Sequence, residues 1–187
     1  MKEPRFLYIH GANSSKRSFA YLQPRIQTPH EAVYFEYDTN TPCAINIATC
    51  QKLVERIAPQ VIIGHSLGGI ITAYLDANAK KVTIATPFGG SAIANWLPMY
   101  SQLMRDVATT SSVIYGLRRR EMDPNKFLAI VANGIDGDGF DGSVSTVSQM
   151  TLRGPDYRVY DLNHIEVLLD DQVISAIDEW ICPAASS

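Results

Sequence analysis

Residues 61–69 read VIIGHSLGG, and this stretch limits the fold more sharply than any other. A short, wholly apolar run stops at Gly64, His65 and Ser66 follow, and Leu67 with two glycines opens a second apolar segment. A strand that turns at once into a helix fits this order, with glycines where side chains would collide with the neighbouring strand and helix. Ser66 then projects from the turn. The helix beginning at Leu67 has unpaired first N–H groups, so the Leu67 N–H is placed to meet an oxyanion forming near Ser66. The plainer alternative is a structural turn with a capping serine.

The remaining apolar runs repeat the pattern. Strands are expected at Phe6–Ile9, Ala32–Tyr37, Val61–Ile63, Val82–Ala85, Phe127–Val131 and, more weakly, Arg158–Tyr160. Helices are expected at Ser14–Leu22, ended by Pro24, and at Ala44–Ile57, with Thr41 as cap and Pro42 in the first turn. Further helices are expected at Leu67–Leu75, at Ser112–Arg120 and from Val167 to Trp180. Alternating strands and helices give an α/β fold, a three-layer sandwich around a mostly parallel, roughly six-stranded central sheet. The segment 88–126 breaks the rhythm. Ser91–Val107 carries apolar residues at helical spacing despite Pro98, as a small lid over a cleft would, or as ordinary packing helices would.

The length of 187 residues suits one domain spanning 1–187. A net charge of −3 gives no reason to expect nucleic acid as a partner. The three cysteines, Cys43, Cys50 and Cys182, show no metal-like clustering; Cys43 and Cys50 read as core thiols. The apolar stretch before His10 is too short for a signal peptide, and no stretch is long enough for stable membrane insertion. The expected location is the cytoplasm. Oligomeric state is not legible.

A serine hydroxyl needs a base to react. The chain has four histidines. His10 ends the first strand, His65 adjoins the serine in the tight turn with its side chain expected to point away, and His30 precedes the second strand at the far end of the sheet. His164 follows the last strand, at the C-terminal end of a parallel sheet, and is left as the base. A carboxylate must orient it. The loop NGIDGDGFDGSVS after the fifth strand offers Asp136, Asp138 and Asp141, and Asp161 is a fourth candidate. The D-x-D-G pattern resembles part of a calcium loop, but the closing glutamate and paired helices are missing, so no metal is expected.

With serine, carboxylate and histidine in this chain order, the sequence resembles the α/β-hydrolase superfamily, especially compact bacterial triacylglycerol lipases and esterases. The likeness covers nearly the whole chain. GHSLGG resembles the family's nucleophile elbow, which implies Ser66. IHGANSS resembles the His-Gly segment after the first central strand, implying the Ala12 N–H as second oxyanion donor and a structural His10. DGSV resembles the family's Asp-Gly-x-Val stretch and favours Asp141, while NHIEVLLD resembles the histidine loop. TPFGGS resembles the segment leading to the lid, with Phe88 where the family often has histidine. The first two strands of a full hydrolase sheet are missing, leaving little room for a large cap.

The resemblance implies hydrolysis of small-molecule or lipid carboxylic esters without a cofactor, through an acyl-enzyme on Ser66, with His164 as base and Asp141 orienting it. Thioesterase or acyltransferase chemistry with the same residues, and a non-catalytic binding protein, are the alternatives. Trp96, Leu97, Tyr100, Leu103 and Met104 form an apolar set that fits either an acyl pocket or lid, or simple packing on the sheet. The LRRRE run at 117–121 reads as a solvated helix end or an anion contact.

Overall fold

A computed structural model describes residues 3–91 and 102–183, with only the backbone of Leu103 and Met104. Its strands are β1 (Arg5–Ile9), β2 (Glu31–Phe35), β3 (Val61–His65), β4 (Lys80–Ile84), β5 (Phe127–Ala132) and β6 (Asp156–Tyr160). Its α-helices are α1 (Cys43–Ile57), α2 (Leu67–Tyr74), α3 (Gln102–Val107), α4 (Ser112–Leu117), α5 (Thr146–Gln149) and α6 (Asp171–Ile181). The six strands form one sheet in the order β2-β1-β3-β4-β5-β6, and every pairing is parallel. The chain thus leaves β1 towards one edge and returns on its other side at β3. A crevice opens at such a switch point, beyond the C-terminal ends of the two strands.

The inner strands β1, β3 and β5 are apolar because both faces of the sheet are covered there. Leu7, Ile9 and Ile62 join one core cluster with Cys43, Cys50 and Val54 of α1, Ile70 and Ile71 of α2, and Ile114 and Leu117 of α4. Phe6, Tyr8, Ile63, Val82, Ile84, Leu128 and Ile130 join the other, against Phe19, Leu22, and Val173, Ile174 and Ile177 of α6. Alternate residues of each strand therefore serve opposite layers. Burial of Cys43 and Cys50 pushes both thiols up to about 12.

Three local expectations are corrected. Ser14–Leu22 is not an α-helix: it holds a 3-10 turn at Lys16–Phe19, and Pro24 sits inside a second turn, Gln23–Arg25, rather than merely closing the first. The cap of α1 is Pro42, not Thr41. The Pro42 carbonyl accepts from Ile45 N at 2.9 Å, while the open Cys43 N–H is met by Asp106 Oδ2, 2.8 Å away in α3. The last helix does not begin at Val167. A 3-10 turn covers Glu166–Leu168, and Asp170 then caps α6, its carboxylate accepting from Val173 N at 2.9 Å.

Within 88–126, Phe88, Ile114 and Leu117 are buried in the first core cluster. The arginines of LRRRE are engaged. Arg118 donates to the carbonyl of Gly89, Arg120 donates to that of Ala73 and lies over the Tyr74 ring, and Arg119 lies over Tyr115. No described helix is long and apolar enough to cross a membrane.

Candidate active site

The turn at Ser66 has the backbone the glycine pattern implies. Ser66 has φ 53° and ψ −118°, a conformation costly for a residue with a side chain. It is held by its N–H, which donates to Ile84 O at 2.9 Å, and by its carbonyl, which accepts from Gly69 N at 2.9 Å. Gly64 and Gly68 allow it. A Cβ on Gly64 would overlap Thr72 and the Gly68 backbone, and one on Gly68 would overlap the carbonyls of Ile9 and His10. Helix α2 therefore lies directly against β1 and β3, with its first turn facing the crevice.

The end of β1 supplies the opposite wall. The carbonyl of Gly11 accepts from His10 Nδ1 at 2.8 Å, which fixes the His10 tautomer. Tyr37 OH donates to His10 O at 2.8 Å and its ring stacks on the imidazole. A trans peptide points its N–H opposite to its carbonyl. Tethering the Gly11 oxygen to His10 thus turns the Ala12 N–H to the other side. Asn13, with φ 51°, ends the loop and donates its N–H to Thr39 Oγ1 at 3.2 Å. Ala12 and Leu67 both line the cavity, and neither N–H makes a hydrogen bond among the described residues.

Asp141 is buried beyond the end of β5. Its Oδ1 accepts from Ser143 N at 2.8 Å and Val144 N at 2.6 Å, while its own N–H donates to Val144 O at 3.1 Å. Gly142, with φ 93°, makes that reversal possible, and the buried Val144 anchors it. This accounts physically for the Asp-Gly-x-Val pattern. The other carboxylates are elsewhere. Asp136 and Asp138 are exposed, Asp138 Oδ1 accepts from Phe140 N in a local turn, and Asp161 accepts from Asn133 Nδ2 at 2.9 Å.

His164 Nδ1 lies 2.7 Å from Asp141 Oδ2, and the His164 N–H donates to Asp141 O at 2.8 Å. Asn163 caps the turn that follows, with Oδ1 accepting from Ile165 N and Glu166 N. Because the partner is a carboxylate, Nδ1 carries the proton, leaving Nε2 as the acceptor. Ser66 and His164 line one cavity of about 390 Å³, together with Ala12, Asn13, Leu67, Pro87, Val107, Val144 and Ile165. Ser66 Oγ makes no hydrogen bond among the described residues, including none to His164. No group of three His, Cys, Asp or Glu among the described residues is placed to hold a metal ion.

The expected acyl-pocket residues Trp96, Leu97 and Tyr100 lie outside the described residues, as do the side chains of Leu103 and Met104. His30 lies away from the cavity, stacked on Phe6 and 2.8 Å from Tyr8 OH. His65 has a closer relation to the site than its place in the turn suggests. It lines the cavity, and its Nε2 donates to His164 O at 3.0 Å. Burial, then the neighbouring His164 ring, hold its pKa down to about 3, so it is neutral. Gln149, which no sequence motif marks, is buried and donates to Asp141 Oδ2 at 3.2 Å. It ends a four-residue helix, too short to leave a periodic signal in sequence.

The fold recurs in solved structures. The lipase BlEst2 of Bacillus licheniformis superposes with a TM-score of 0.71 at 14% identity, over 96% of this chain and 92% of that one. An alpha/beta hydrolase fold protein from Burkholderia ambifaria gives 0.71 at 11% identity, over 98% and 91%. The chain has the α/β-hydrolase fold. SOBER1 of Arabidopsis thaliana shares it at a TM-score of 0.58 and 10% identity, over 96% of this chain and 98% of that one. Residues 5–97, which include the Ser66 turn and the His10–Ala12 segment, match an uncharacterised protein family, UPF0227. No curated protein matches the chain. In α/β-hydrolase terms the sheet is a minimal one, with β1 and β3 flanking the crevice.

Proposed function

We propose that this chain is a serine hydrolase that cleaves carboxylic esters through an acyl-enzyme on Ser66. The observation that carries the reading is the 2.7 Å bond from His164 Nδ1 to a buried Asp141, at a cavity that also exposes a conformationally strained Ser66. A nucleophile, a base and an orienting carboxylate from three separate loops have no evident structural reason to meet there. The lipase among the structural neighbours is in keeping with an ester substrate.

In the proposed reaction, Ser66 Oγ attacks the acyl carbonyl as His164 Nε2 takes its proton. The N–H groups of Ala12 and Leu67 hold the oxyanion. His164 then protonates the departing alcohol and activates water, which releases the acid. Asp141 holds the imidazole in its working tautomer and stabilises the imidazolium. No cofactor takes part.

Hydrolysis of p-nitrophenyl esters from acetate to palmitate tests the reading. S66A is expected to lower kcat/KM by about four to six orders of magnitude, and D141N by about three to four. A fluorophosphonate probe should label the parent and not S66A. Activity unchanged in S66A would refute the proposal. Product analysis with water and a competing alcohol separates hydrolysis from acyl transfer.

A further inference from the structure

We propose that Gln149 is a positioning residue for the acid–base pair, holding the Asp141 carboxylate in register with the end of β5. The inference rests on the roles proposed above for Asp141 and His164. Strand β4 ends at Ile84, level with Ile130 of β5. The next β5 residue facing that side, Ala132, therefore has no strand to pair with. Gln149 fills the gap. Its Oε1 accepts from Ala132 N at 2.9 Å, and its Nε2 donates to Ala132 O at 2.7 Å. The Ala132 N–H requires an oxygen opposite it, so the amide orientation is fixed and the remaining amide hydrogen faces Asp141 Oδ2, 3.2 Å away.

The consequence lies in how the carboxylate is held. Ser143 N and Val144 N fix Oδ1, and they belong to the Asp141 turn itself. Oδ2 meets only two donors among the described residues, His164 Nδ1 and Gln149 Nε2. Without Gln149, the histidine would be the one remaining donor to the oxygen meant to orient it, among the described residues. The amide ties that oxygen to the rigid sheet, whether His164 is neutral or charged. Gln149 touches no reacting atom and acts through Asp141.

A double-mutant cycle of Q149M and D141A tests this on p-nitrophenyl butyrate, with S66A as blank and thermal unfolding of every variant. Q149M is expected to lower kcat about tenfold with KM unchanged. In the D141A background the same change should cost less than about twofold, because both substitutions act through one carboxylate. Equal fold losses in the two backgrounds would overturn the proposal and leave Gln149 a packing residue. Q149E, which keeps an oxygen for the Ala132 N–H, covers the case that Q149M does not fold. It places a second carboxyl against Oδ2, and its kcat relative to the parent should rise as pH is lowered from about 8.5 to about 6, when that carboxyl takes a proton and gives its single O–H to the Asp141 carboxylate, leaving only the Ala132 carbonyl without its donor. A ratio independent of pH would also overturn the proposal. The proton NMR resonance of His164 Nδ1–H, assigned with H164A, reports on the pair without turnover. If no ester is cleaved, the ester-hydrolase reading fails while this resonance still decides the role of Gln149. It should move in whichever of Q149M and Q149E folds, and an unmoved resonance overturns the proposal.

Discussion

Ser66 shows how a single residue can carry strain that its neighbours offset. Its positive φ is tolerated because Gly64 and Gly68 let α2 close onto β1 and β3. A methyl at residue 68 would meet backbone oxygen on β1, which has no rotamer to yield. G68A is therefore expected to lose at least about 3 kcal/mol of stability or fail to fold, measured by urea unfolding. His65 gives a pH-dependent prediction. Its folded pKa is about 3 and its ordinary value about 6.5. Above pH 6.5 both states are neutral. Below it the unfolded chain takes up a proton that the folded chain refuses, so stability falls as pH drops from about 6.5 towards 3. This residue alone should cost about 2 kcal/mol between pH 7 and 5. H65Q, which can still donate to His164 O, should show a correspondingly flatter fall in urea midpoint, and an unchanged slope would refute the assignment. At this scale Ser66, Asp141 and His164 were legible because each sits in a local pattern with a backbone cause, as Gly142 does for Asp141. Gln149 and the His65 contact were not, because each partner lies far away in sequence or in a loop without periodicity.

The elements were legible where burial repeats at regular spacing. Helix α1 and strands β1, β3 and β5 fall within two residues of their expected bounds. The misses are at ends and short turns, where one distant side chain outweighs local preference. Asp106 from α3 meets the Cys43 N–H, and the α1 cap sits at Pro42 instead of Thr41. Asp178 of α6 accepts from Gln27 N, Thr28 N and Thr28 Oγ1, fixing the chain between the second 3-10 turn and β2. Helix α6 is held by its buried stripe of Val173, Ile174 and Ile177. I177A should cost about 3 kcal/mol through lost burial and the cavity left behind, lowering Tm by about 6–12 °C in a calorimetric scan.

One sheet organises the described molecule, and all six strands contribute to two shared cores. If residues 1–187 form one domain, far-UV ellipticity and tryptophan fluorescence should report one coincident unfolding transition in urea. Two separated transitions would divide the chain. The α/β architecture, the parallel sheet and the strand-to-helix turn at Ser66 were decided by sequence alone, because apolar periodicity and glycine placement act over a few residues. Strand order and the meeting of the loops after β1, β3, β5 and β6 were decided only by tertiary structure. The sequence put four carboxylates near the C-terminal ends of the strands. Packing left Asp141 buried, turned it by its own loop, and set it 2.7 Å from His164. That distance depends on how adjacent parallel strands register and how α5 closes the end of β5, neither of which any local run of residues encodes.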